Sequence, residues 1–127
     1  MTKFNFYGKT YYLMYTGNAF FELLDEFGEP SDIVTKILPN TREAFEITCK
    51  VAAVLSEQGS LVRAYMGHEK TDILSAEAFL ATARPINLIA LKRAVSNEIF
   101  SGANREENEE EEIDLGLLEL QKKTEKS

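Results

Sequence analysis

The sequence predicts a mainly α-helical domain wrapped on one central helix, with a small β-hairpin at its N-terminus. Three observations lead there. Residues 41–58 are apolar around most of a helical circumference, with Phe45, Ile47, Cys49, Val51, Val54 and Leu55 spread outside one narrow charged stripe of Glu43, Glu46, Lys50 and Glu57. Residues 3–15 alternate and are rich in aromatic residues around Gly8. Proline and glycine divide the remainder into helix-length pieces. A helix that leaves so little surface to water is a core element, and the other segments are expected to pack around it.

In chain order, Phe4-Asn5-Phe6 and Thr10–Tyr15 read as two strands joined at Gly8, where a tight turn needs positive φ; Tyr7 stands where asparagine would suit the turn better. A two-stranded ribbon is marginal alone, so one face of it must pack on a helix or on another subunit. Thr16-Gly17-Asn18 offers caps for a helix over 19–27, with Phe20, Phe21 and Phe27 expected in the core and Gly28 at its end. Ser31 or Asp32 is expected to cap a short helix over 33–38 that Pro39 closes. For the central helix the expectation is an Asn40 cap, with Glu43 reaching back to it, and termination at Gly59. Residues 60–66 then read as a separate helical piece ending at Gly67.

Ser75 caps a helix through Ala83, and Pro85 opens another over 86–101 that Gly102 is expected to terminate. Leu88, Leu91, Val95 and Ile99 share one face of this last helix, widened by Ile89 and Ala90. The resulting division is a body of 1–102, an acidic linker of 103–112 and a short amphipathic segment of 113–127. In that last segment Ile113, Leu115, Leu117, Leu118 and Leu120 are the candidate partner-binding residues, because a short apolar stretch behind a charged linker needs a groove in which to bury itself.

Charge narrows the function classes. Residues 1–102 hold 12 acids and 10 bases, a net −2, whereas residues 103–127 hold 9 acids and 4 bases, a net −5. Nucleic-acid binding calls for a basic stripe that displaces phosphate counterions, and the densest basic spots are Lys92-Arg93 and Lys122-Lys123, so no nucleic-acid partner is expected. No apolar run has the length of a signal peptide or a membrane span. The single cysteine, Cys49, excludes an intramolecular disulfide and reads as a small core residue; His68, the only histidine, reads as a surface residue. Phosphate loops, nucleophile elbows and paired metal-ligand motifs are missing, the carboxylates of the body read as solvated, and the run Glu109–Glu112 lacks the turn glycine and spaced oxygens of a calcium loop. No enzyme activity, cofactor or metal is expected.

The ensemble of Tyr12-Leu13-Met14-Tyr15-Thr16-Gly17-Asn18-Ala19, the helix start Thr41-Arg42-Glu43-Ala44-Phe45 and the closing Glu110-Glu111-Glu112-Ile113-Asp114-Leu115-Gly116-Leu117 resembles the tail assembly chaperones of tailed bacteriophages, in the group carried by phages and prophages of Gram-positive bacteria. The likeness spans essentially the whole chain, and none of its motifs is a catalytic fingerprint. It implies a non-enzymatic role in the host bacterial cytoplasm: binding the tape measure protein, keeping that long apolar rod soluble, and recruiting tail-tube protein before leaving the finished virion. It also implies self-association and a second, longer product made by ribosomal frameshifting near the end of the gene, for which the codons of Lys122-Lys123 are candidates. The alternative from another class is a small cytoplasmic helical adaptor or regulator unrelated to phage.

Overall fold

The computed structural model describes residues 1–104, in which two strands, β1 (Thr2–Phe6) and β2 (Lys9–Leu13), precede five helices: α1 (Gly17–Phe27), α2 (Pro30–Ile37), α3 (Arg42–Tyr65), α4 (Ala76–Thr82) and α5 (Pro85–Asn104). This is the mainly helical architecture that the sequence predicts, and α3 touches β2 and all four other helices.

β1 and β2 pair antiparallel with Phe6 opposite Lys9 and Thr2 opposite Leu13. Only Tyr7 and Gly8 lie between them, at φ of 49° and 80°, so both loop residues take the left-handed conformation of a tight hairpin turn. For tyrosine that conformation is unfavourable. Its ring compensates by packing 4.5 Å from the Phe6 ring, and its hydroxyl donates to the Thr82 carbonyl at 3.1 Å. The inner face of the hairpin buries Phe4, Tyr11 and Leu13, with the Phe79 ring of α4 lying 5.8 Å from Phe4 and 4.5 Å from Phe6.

The central helix is longer than expected. It runs through Gly59 to Tyr65, so residues 60–65 belong to α3, and its end is at Gly67. There φ is 94°, and the amide of His68 donates to the Arg63 carbonyl at 2.8 Å. Gly59 serves a close approach instead of an end. A methyl group there would overlap the carbonyl oxygen of Tyr12, so glycine lets β2 cross α3 backbone against backbone. Beside this crossing the Met14 amide donates to the Leu55 carbonyl at 3.1 Å. Gly102 is corrected in the same way. It lies inside α5, where a Cβ would stand 2.8 Å from the Cβ of Tyr15, and the helical body extends to Asn104 rather than stopping at 102.

Two caps differ from those expected, and a third is the first of the three residues offered. Thr41, not Asn40, caps α3 by accepting from the Ala44 amide at 3.1 Å, which places Glu43 too early to reach back to the cap. Glu29, not Ser31 or Asp32, precedes α2; Pro30 fills its first position, and the Glu29 amide donates to the Asp32 carboxylate at 2.9 Å. Thr16 caps α1, which therefore begins at Gly17. Ser75 caps α4 as expected.

The polar stripe of α3 holds: Glu43, Glu46, Lys50 and Glu57 are all exposed, while Cys49, Val51, Ala52 and Leu55 are buried. On α5, Leu91, Val95 and Ile99 are buried and Leu88 and Ile89 are half-buried, but Ala90 is exposed. The expectation that three phenylalanines of α1 belong to the core fails for Phe21. Ala19 and Leu23 hold the inward positions, Phe20 and Phe27 pack at their sides, and Phe21 points away with 64% of its surface exposed.

Candidate interaction surfaces

A fold this small is positioned by a few buried polar groups that hydropathy alone does not mark. Glu98 on α5 is 1% exposed, correcting the reading of the body's carboxylates as solvated. One carboxylate oxygen accepts from the Thr2 hydroxyl at 2.8 Å, and the other accepts from the Tyr15 amide at 2.9 Å. It thereby ties the start of β1 and the residues after β2 to one turn of α5. Ser56 and Ser60, one turn apart on α3, hold the connection to α4: Ser56 accepts from the Leu74 amide at 2.8 Å, and Ser60 both donates to and accepts from the backbone of Thr71 at 3.0 and 3.1 Å. Gln58 accepts from the Thr16 hydroxyl at 2.8 Å and so fixes the residue that caps α1. A four-residue spacing of serines was the available signal for the strapped connection, but it becomes readable only once α3 is known to continue past Gly59.

Lys92 has a comparable structural role. Its ammonium group donates to the carbonyls of Leu38 and Pro39 at 2.9 Å each and to the Asn40 side chain, and it lies 4.6 Å from the Phe45 ring centre. Partial burial pushes its pKa down. Half of the Lys92-Arg93 pair is therefore engaged in joining α5 to the α2–α3 turn. Arg63 lays its guanidinium 4.1 Å over the Tyr12 ring.

The thiol of Cys49 is buried, and desolvation, with the Glu46 carboxylate adding to it, pushes its pKa up to about 11. His68 is exposed on the α3–α4 connection. Among the described residues, no three of the histidine, cysteine, aspartate and glutamate side chains come together as a metal site, and no helix is long and apolar enough to cross a membrane.

What the described surface does offer is apolar area. At the end of α3 the charged stripe gives way to Leu61 and Tyr65, four residues apart, with Met66 beside them; Tyr65 is 92% exposed. On α5 the outer face carries Ile86 and Phe100, 69% and 59% exposed, with Arg93 midway at seven-residue spacing. Phe21 and Leu38 add separate exposed positions. The five residues singled out from the sequence, Ile113, Leu115, Leu117, Leu118 and Leu120, lie outside the described residues. Comparison with protein-family models, with curated proteins and with solved structures finds no match to this chain.

Proposed function

We propose that the protein is a phage tail assembly chaperone, a non-enzymatic binding module that holds the tape measure protein in the host cytoplasm, assists recruitment of tail-tube protein and is absent from the mature virion. The reading starts from the sequence resemblance. The observation that supports it is the exposed apolar face at the end of α3, Leu61, Tyr65 and Met66, on a domain whose neighbouring stripe of Glu43, Glu46 and Glu57 is acidic. A tape measure protein presents long helices with apolar stripes. A helix face with apolar anchors and a charged border can cover such a stripe while discouraging indiscriminate association.

Co-expression with the tape measure protein encoded nearest to this gene tests the proposal. The expected result is a larger soluble fraction of the tape measure protein and its co-purification with the chaperone, both reduced by Tyr65→Asp in a chain that remains folded. Removing the residues after Asn104 is expected to weaken the same complex, because the apolar residues Ile113 to Leu120 go with them. A genome with no tape measure gene downstream and no tail-tube gene upstream, together with no effect on tape measure solubility, would leave the unrelated helical adaptor as the better reading.

A further inference from the structure

One edge of the hairpin is sealed by α3 and the other is open. With a two-residue turn, the pairs Phe6 with Lys9, Phe4 with Tyr11 and Thr2 with Leu13 exchange backbone hydrogen bonds, so the N–H and C=O groups of the residues between them point out of the hairpin. On the β2 side these groups meet α3, through the Tyr12 carbonyl at Gly59 and the Met14 amide on Leu55. On β1 they belong to Lys3 and Asn5, and there they meet no backbone partner among the described residues. The strand carries neither a proline nor a bulge, two devices that blunt sheet edges.

The surroundings of this edge select what can lie on it. Asn97 of α5 donates to the Thr2 hydroxyl at 3.2 Å, and Tyr7 at the hairpin tip reaches Thr82 just before α5 begins, so the helix runs antiparallel along β1. Spacings of four, three and four from Ile86 through Ala90 and Arg93 to Asn97 put these residues on one stripe beside the edge. Ile86 is 69% exposed and Ala90 is exposed with it, which gives the edge an apolar floor. Lys3 on the strand and Arg93 on the helix are exposed, and neither has an ion-pair partner among the described residues. In a chain whose net charge is −7, the open edge is flanked by cations.

We propose that β1 binds an acidic, extended segment of a partner protein, which adds to the sheet as a third strand. Unpaired N–H and C=O groups at alternate residues are matched along their length by another extended backbone. Side chains of the added strand alternate between the two faces of the sheet. Those on the inner face rest on Ile86 and Ala90 and are apolar, while carboxylates between them lie beside Lys3 on the outer face, with Arg93 at the border of the floor adding to the same attraction. A second copy of this chain is the poorer occupant, because β1 paired with β1 about a two-fold axis brings Lys3 and Arg93 of both copies together. The site stands apart from the face at the end of α3 and does not rest on that face binding a tape measure protein.

Residue-resolved amide exchange by NMR tests it on the full-length chain, with capped octapeptides of alternating valine and glutamate or of alternating valine and lysine as probes. The expected result is that the Lys3 and Asn5 amides exchange freely without peptide, slow by about tenfold or more with millimolar glutamate peptide, and do not respond to the lysine peptide. Lys3→Glu combined with Arg93→Glu, both at exposed positions, should reverse that preference. The Phe4 and Leu55 amides, bonded within the hairpin and within α3, should keep their protection in every sample and show that the domain is intact. No slowing by the glutamate peptide overturns the proposal, and so does equal slowing by both peptides, which removes the selection by charge. Protection present without peptide overturns it too, by assigning the edge to a second copy if it grows with protein concentration and to the chain itself if it does not.

Discussion

β2 and β1 have the same length and face the same core, yet they meet the rest of the molecule in opposite ways. β2 is locked to α3 by backbone: the Tyr12 carbonyl against Gly59, and the Met14 amide on the Leu55 carbonyl. β1 is held mainly through side chains, by Phe4 and Phe6 against Phe79 and by Thr2 on Glu98. Contact between backbones cannot adjust by changing a rotamer, so it tolerates no added atom. Contact between side chains yields gradually. The β2 side should therefore be the rigid half of the hairpin, and its failures should be abrupt.

The largest expected effects lie at that crossing. Gly59→Ala places a methyl group on the Tyr12 carbonyl and must push β2 away from α3, costing more than about 4 kcal/mol, so the variant should fail to fold or lose its cooperative thermal transition. Val51→Asp, two turns earlier and fully buried, should do the same by placing a charge in the core. A well-folded Gly59→Ala protein would mean that the two backbones do not meet.

Next in size is the fastening of β1. Glu98→Ala leaves the Tyr15 amide and the Thr2 hydroxyl without their acceptor in a closed site and should cost about 2 to 4 kcal/mol in denaturant unfolding. Glu98→Gln, which keeps an acceptor oxygen, should cost less. Equal losses would show that the ionic charge, rather than the hydrogen bonds, matters there.

A smaller effect appears with pH. The folded chain holds the Cys49 proton up to about 11, whereas an unfolded chain releases it at about 8.5. The unfolded state therefore binds fewer protons between these values. Its contribution to stability is fully present below about 8.5 and is lost as the pH rises through about 11. Cys49→Ala should flatten the decline of melting temperature across that window, and thiol reagents should label Cys49 at about pH 8 only after unfolding. The smallest effects should come from exposed charges: Lys50→Ala on α3 and Lys3→Ala on β1 should each change stability by less than about 0.5 kcal/mol. A larger loss at Lys3 would mean that β1 is fastened on its outer face as well.

Local sequence dictates the elements and which way their faces point. The polar stripe of α3, the inward face of α5, the hairpin and its turn, and the serine cap of α4 all follow from periodicity and local capping chemistry, which act over one or two helical turns. What the glycines do, where the polar core lies and which aromatics are left outside were settled in three dimensions. Gly59 and Gly102 read as terminators because glycine is poor in a helix, but the residues that require them, Tyr12 and Tyr15, are more than forty positions away in sequence. Glu98 looks like any solvated carboxylate until Thr2 and Tyr15 are brought to it by the hairpin. Phe21 has the composition of a core residue, and only the packing of α1 on α2 and α3 assigns the inward positions to Ala19 and Leu23. Close approach between segments is a property of the assembled chain, and no local pattern records it.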